Sequence, residues 1–344
     1  MKRTLYTTAT LLTILLLMSS CTRKQYYHES GSVFHTLYRI KYEAPNLLTE
    51  KIDSVLRDFS LSLNPFNPNS IVAKVNRNED VELDEWFTTV FNKAMEVSAI
   101  SDGAFDVTVA PLINLWGFGF ENSDSVSQHA IDSIKQFVGF RKARIENNRV
   151  VKDDPRIKFN FSAIAKGYAC DVVASLLESE GVENYMVYIG GEVTSKGKNP
   201  NGNCWHLGIN RPEDDNTGMT EEAEDTIRLC EKSGMATSGS YRNFYIKDGK
   251  KYAHTIDPHT GYPTEKSILS ATIIAGDCMT ADAYATVCMV MGVEEASKFA
   301  ENISEIKHYI FIYSDDSSPT GYKKTHSKGM ESILVNYRKA LWQN

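Results

Sequence analysis

Asp282 and Thr286, four residues apart in the segment Thr280–Thr286 (TADAYAT), could together hold a hard cation. On a helix that spacing puts both side chains on one face. A carboxylate and a hydroxyl there make a partial Mg²⁺ site, which phosphate and water can complete. The same two residues could instead serve the helix alone. Asp282 would then be favoured by the helix dipole, and Thr286 would bond back to a preceding carbonyl. A second segment, Asn160–Asp171 (NFSAIAKGYACD), reads as a helix start capped by Ser162. Its free N–H groups and positive dipole end suit phosphate. Lys166 could add a charge-assisted contact, and Gly167 admits a backbone or ligand closely. An ordinary capped amphipathic helix would carry the same residues.

Two further segments have the same double character. Tyr188–Glu192 (YIGGE) runs a strand into a double glycine, a turn that lets a ligand approach the backbone. In His254–Pro263 (HTIDPHTGYP), Asp257-Pro258 and Thr260-Gly261 enforce a tight turn. His254, just ahead of that turn, could act as a general base or could simply hydrogen-bond it.

The elements that must position these residues follow from periodicity. Val33 to Tyr42 alternates and predicts a strand. Leu47 to Leu61, Asp84 to Ser101, Gln128 to Val138, Ser162 to Glu178 and Thr280 to Met291 have helical spacing. Asn147-Asn148 marks a type I′ hairpin turn between two short strands. Further strands are expected at Tyr185 to Ile189, near Trp205 to Asn210, at Phe244 to Lys247 and at Leu269 to Ala275. Helices and strands mix without strict βαβ order, which favours an α+β fold. Asp106 to Gly119 (DVTVAPLINLWGFG) is apolar, carries Gly and Pro, and has no clean period.

The chain has 344 residues, 42% of them hydrophobic and 24% charged, enough for a core without metal or disulfide staples. Its net charge of -7 and the absence of a basic block argue against nucleic acid as a partner. A phosphate-bearing ligand must therefore meet a local site. Lys2 and Arg3, the apolar run Leu11 to Met18, then Ser19, Ser20 and Cys21 read as a secretory signal peptide over residues 1–20. The apolar run is too short to span a membrane. Cys21 resembles the lipidated cysteine of a bacterial lipobox, with Met18 where Leu is usual. Residues 21–31 are expected to be a lipid-anchored tether, and residues 32–344 the folded domain. The other five cysteines, Cys170, Cys204, Cys230, Cys278 and Cys288, form no CxxC pair or Cys/His cluster. No essential disulfide framework is expected from them.

In this order, these segments resemble the FAD:protein FMN transferase family, the ApbE-like flavin transferases. Ser101–Asp106 (SDGAFD), with Ala110-Pro111-Leu112 and Trp116–Gly119, looks like the family's Gly-Ala-Phe-Asp element. Ala236–Tyr241 (ATSGSY) looks like its Thr-Ser-Gly-x-Tyr turn. The likeness runs from about Val33 to Gly292. It implies an α+β fold of mixed sheets and packed helices forming one large catalytic unit. It assigns Mg²⁺ to Asp282, Thr286 and the carbonyl of Ala163. It assigns FAD contacts to Ala104, Phe105, Asp106, Asn160, Lys166 and Ile256, and to Phe34 and Phe66. The chain departs from the family where Asn160 replaces a frequent Asp, and where Phe34-His35-Thr36 replaces Met-Gly-Thr.

The activity so implied is Mg²⁺-dependent transfer of FMN from FAD to a threonine of another protein, with AMP released. His254 is then the candidate base for the acceptor hydroxyl. The expected acceptor is an exported redox-complex subunit with an Asp-x-x-Ser/Thr-Gly-Ala-Thr type motif. The enzyme is expected at the periplasmic side of the inner membrane, held by lipid on Cys21. A near-match to the acceptor motif lies within this chain at Asp214–Thr220 (DDNTGMT), raising self-modification at Thr220 against an ordinary solvated loop. The rival activities are a Mg²⁺-dependent FAD pyrophosphatase, with water in place of threonine, and a non-catalytic flavin-binding lipoprotein.

Overall fold

The computed structural model describes residues 24–119, 126–213, 223–241, 243–247 and 249–335. The chain opens with the hairpin β1 (Gln25–Val33) and β2 (Thr36–Ala44). Five helices follow: α1 (Thr49–Leu63), α2 (Ile71–Asn76), α3 (Glu85–Ile100), α4 (Ala110–Leu115) and α5 (Gln128–Lys135). A small hairpin, β3 (Ala143–Glu146) with β4 (Arg149–Lys152), precedes α6 (Ala165–Ser179). Then come β5 (Tyr185–Ile189), β6 (Glu192–Lys196), the hairpin β7 (Trp205–Asn210) and β8 (Ala223–Leu229), and β9 (Ser233–Gly239). A third small hairpin joins β10 (Phe244–Lys247) and β11 (Lys250–Ala253). The chain continues through β12 (Ile268–Ala275), α7 (Cys278–Met291), α8 (Val293–Asn302), β13 (Ile306–Ser314) and β14 (Tyr322–His326).

Eight strands form one sheet in the order β1-β2-β5-β6-β9-β12-β13-β14, antiparallel at every step. Both faces of its centre are covered. Side chains such as Val187, Ala236, Ile273 and Phe311 face the helical layer. Val193, Met235, Ile274 and Ile312 face the other way, against Leu207, Ile209, Ile227 and Leu229 of the β7–β8 hairpin. That double burial explains why β12 reads as an apolar run and not as an alternation. Helix α7 is buried on all sides but at Met279, Thr286 and Met291, as expected of a helix apolar around its circumference. Among the described residues no helix is long and apolar enough to cross a membrane. The α+β class expected from the sequence is the class observed.

Five local expectations are corrected. Residues 25–31 belong to β1, which pairs along its length with β2, and are not a tether. The strand expected over Val33–Tyr42 is interrupted at Phe34 and His35, whose φ angles of 51° and 58° make the hairpin turn. Ser162 does not cap α6; the N-cap is Ile164, with no side-chain cap bond, and the Asn160 Oδ1 instead accepts from the Ser162 N–H at 2.8 Å. Cys204 and Cys230 form a disulfide that ties the start of β7 to the chain after β8, with Cα atoms 4.6 Å apart. Helix α5 also stops three residues short of the predicted Val138. The Asn147-Asn148 turn is left-handed at both residues, as predicted, with φ of 47° and 58°. The signal segment, Cys21 and Asp214–Thr220 lie outside the described residues.

The seam between α6 and α7 depends on Gly167. A Cβ there would stand 2.3 Å from the Cys278 carbonyl oxygen and 2.8 Å from the Asp282 Cβ. Gly167→Ala must push the helices apart and should cost about 1–3 kcal/mol, as overpacking of a close contact does. Thermal unfolding measures this; an unchanged midpoint would contradict so tight a seam.

Candidate active site

The start of α6, the start of α7 and strand β9 meet along one seam, and each arrives there for a local reason. Asp277 caps α7 by accepting from the Thr280 N–H at 2.8 Å. The carboxylate of Asp171, nearly two turns into α6, accepts from the Cys278 and Met279 N–H groups at 2.8–3.0 Å and from the Thr194 hydroxyl at 2.7 Å. It thereby takes up amide groups that a helix start leaves without partners. Burial pushes the Asp171 carboxyl up to about 7 despite these donors. Gly234 of β9 lets the strand touch the same helix end, since a Cβ there would lie 2.2 Å from the Asp277 carbonyl carbon and the Cys278 nitrogen.

These contacts set Asp282 one turn further along α7. Its Oδ2 accepts from the Gly167 N–H at 3.0 Å, another of the free amides at a helix start. Asp282 is buried, and burial raises its carboxyl, while Lys166 and the Gly167 N–H oppose the rise. Thr286 follows on the same face, with its hydroxyl 3.2 Å from that of Ser238 at the end of β9. Ala163 precedes the N-cap of α6, so its carbonyl lies outside the helix ladder.

A cavity of about 790 Å³ opens over this junction, within the range that small-molecule sites occupy. Asp282, Thr286 and Ala163 line it, as do Lys166, Asn160 and His254. Ala104, Phe105 and Asp106 supply another stretch of wall, Ile256 another, and Phe34 and Phe66 stand at the side of the β1–β2 turn. All the sequence-predicted positions within the described residues therefore border one space. They do not border it in the same way. Both oxygens of Asp106 are bonded within the chain, to the N–H and hydroxyl of Thr108 at 2.7 Å and to the Phe140 N–H at 2.8 Å. Its carboxylate shapes the loop that forms the wall. Phe66 is half exposed, with its ring centre 4.4 Å from that of His35.

His254 stands just beyond β11. Its Nδ1 lies 3.2 Å from the Asn243 carbonyl oxygen, and its backbone N–H donates to the same oxygen at 3.1 Å. A carbonyl only accepts, so Nδ1 carries the proton and Nε2 keeps the lone pair. Burial and the charge of Lys166 hold the ring below the ordinary histidine value of 6.5, against the opposing Asn243 bond. The imidazole is neutral at pH 7 and able to accept a proton. Its loop is braced by stacked rings, Trp116 on Tyr252, Tyr252 on Tyr245 and Tyr245 on Phe118, with centres 5.1–5.5 Å apart. The Trp116 indole N–H also donates to the Gly261 carbonyl at 2.8 Å, pinning the turn after His254.

The donor set fits Mg²⁺. Asp282, Thr286 and the Ala163 carbonyl offer one carboxylate and two neutral hard oxygens. Among the described residues no group of three His, Cys, Asp or Glu side chains could hold a metal on its own. A site with one carboxylate needs oxygens from its ligand, which is the way Mg²⁺ binds alongside phosphates. Sequence reading missed Asp171, Asn243 and the aromatic stack. Asp171 and Cys278 are 107 residues apart, and nothing in either segment announces the other.

The ApbE family model matches residues 34–310. The chain belongs to the ApbE family. A protein of Vibrio cholerae named FAD:protein FMN transferase is 35% identical over 332 residues, covering 93% of this chain and 96% of that one. An Escherichia coli protein of the same name is 33% identical, covering 84% and 82%. The solved structure of the flavin transferase ApbE from Vibrio cholerae superposes with a TM-score of 0.79 at 35% identity, covering 90% of this chain and all of the other. The apo flavinyl transferase ApbE of Pseudomonas stutzeri gives 0.78 at 28% identity, covering 90% and 97%. The ApbE match thus includes the β1–β2 turn, both helix starts and the His254 loop.

Proposed function

We propose that this ApbE-family chain transfers FMN from FAD to a threonine hydroxyl of another protein and releases AMP. One observation carries the reading: a single cavity brings a hard-oxygen cation site, a lysine and a neutral histidine together in a member of a family of flavin transferases. In the reaction the threonine Oγ bonds to the FMN-side phosphorus, and the bond from that phosphorus to the AMP oxygen breaks. His254 takes the hydroxyl proton on Nε2, since Nδ1 is occupied by the Asn243 carbonyl. Lys166 holds the pyrophosphate, since the amides of Ala165 and Gly167 at the start of α6 already donate to the Phe161 carbonyl and to Asp282. Asp282, Thr286 and the Ala163 carbonyl hold Mg²⁺, which when bound neutralises charge on the phosphates. Phe34, Phe66, Ala104, Phe105, Asn160 and Ile256 form the walls against which FAD is oriented.

The acceptor in this reading is an exported redox-complex subunit with an Asp-x-x-Ser/Thr-Gly-Ala-Thr type motif. The enzyme meets it while anchored by lipid on Cys21, at the periplasmic side of the inner membrane. The motif of basic residues, short apolar run and cysteine supports that placement.

Two substitutions test the roles. Asp282→Ala should lower FMN transfer by about a hundredfold or more and abolish its response to added Mg²⁺. Retained Mg²⁺-dependent transfer rejects the metal assignment. His254→Ala should slow turnover by about 10²–10⁴-fold with little change in FAD affinity. Because the ring must be neutral to accept a proton, the wild-type rate should fall as pH drops through a value below 6.5. That acid limb should vanish in the variant. Loss of FAD binding with normal turnover of bound FAD would overturn the base role.

A further inference from the structure

Glu192 is a buried carboxylate on the cavity wall that none of the roles above uses. It opens β6 directly after Gly190 and Gly191, whose φ angles of 62° and 114° turn the chain into the cavity. The side chain is 4% exposed. Its Oε1 lies 2.5 Å from the Lys166 Nζ, while its Oε2 is buried without a hydrogen-bond partner among the described residues. Burial drives the Lys166 ammonium toward its neutral form, but the carboxylates of Glu192 and Asp282 more than offset this, so Lys166 stays charged.

Stability does not account for such a residue. A buried ion pair commonly contributes less than apolar side chains of the same volume would. A buried oxygen left without a donor is a further cost. The place where Glu192 sits does account for it. A lysine is a flexible four-carbon stem with a point charge at its tip. One carboxylate oxygen holds one of the three ammonium protons and leaves the others for an anion in the cavity. The flexible cation becomes a fixed donor before any ligand arrives, and the ordering loss on binding falls.

We infer that Glu192 is a positioning residue for FAD, holding Lys166 where its remaining donors meet the pyrophosphate. The inference rests on the FAD reading of the cavity. It also sets Glu192 apart from a competitor, which would draw Lys166 away from phosphate and weaken binding.

A double-mutant cycle on FAD affinity tests it, because residues that act through one another are not additive. Flavin fluorescence titration in the presence of Mg²⁺ would give the dissociation constant for wild type, Glu192→Ala, Lys166→Met and the double variant. Glu192→Ala should weaken FAD by about tenfold or more in the wild-type background, the scale of one oriented charge-assisted hydrogen bond. In the Lys166→Met background it should change affinity less than about twofold, within ordinary additivity error. Glu192→Gln keeps a carbonyl acceptor for Lys166 and should restore most of the affinity. If the alanine variant fails to fold, which thermal melting reports, Glu192→Met fills the buried space, removes the acceptor and completes the cycle with the same expected outcomes. An equal loss in both backgrounds overturns the inference, and so does tighter FAD binding in Glu192→Ala. Wild-type protein that binds no FAD overturns the proposed function and this inference with it.

Discussion

The contact between the starts of α6 and α7 is the constraint on which the site depends. Two helix N-termini, each with free amides and a positive dipole end, are brought side by side. Their like ends would repel without negative charge between them. Asp171 and Asp282 supply it, one accepting from the α7 amides and the other from the Gly167 amide. Gly167 and Gly234 make the approach possible by leaving no side chain in the seam. The sheet behind the helices, closed on its far face by the β7–β8 hairpin, gives that seam a rigid base.

From this constraint the electrostatics of the cavity follow. An overall acidic protein needs a local attraction for a phosphate-bearing ligand. Lys166 provides it at one point. The carboxylates around it are buried and costly, and they are tolerated because each is tied to an amide, a hydroxyl or an ammonium. The histidine is treated in the opposite way. It is held neutral, its tautomer set by one backbone carbonyl, on a loop braced by stacked aromatic rings. A cation site on a rigid helix seam and a base on a separate braced loop can approach one ligand from different sides.

Much of this was legible in the sequence, but unevenly. The spacing of Asp282 and Thr286 and the Asp257–Gly261 turn are local patterns that survive into the structure. The α+β class was favoured by element order and implied mainly by the family resemblance. The β1–β2 turn was not legible, because Phe34 and His35 adopt left-handed backbone without the Gly, Asn or Asp that normally marks it. The cap of α6 was misread because Ser162 lies before an irregular turn and not at the helix edge. Asp171 and the Cys204–Cys230 disulfide act between segments far apart in the chain, and Asn243 acts through a backbone carbonyl, so composition and periodicity carry no signal for them. Glu192 looked like the end of an ordinary glycine turn until its partner Lys166 was placed beside it.

The most direct test of the account is the mass of an acceptor. The purified protein would be incubated with FAD, Mg²⁺ and a polypeptide bearing an Asp-x-x-Thr-Gly-Ala-Thr motif, and both intact acceptor mass and free AMP would be measured. The account predicts an acceptor heavier by one FMN phosphoryl unit, with AMP released in equal amount. Release of AMP and free FMN with no gain on the acceptor would contradict it, because water and not a protein hydroxyl would then be the nucleophile.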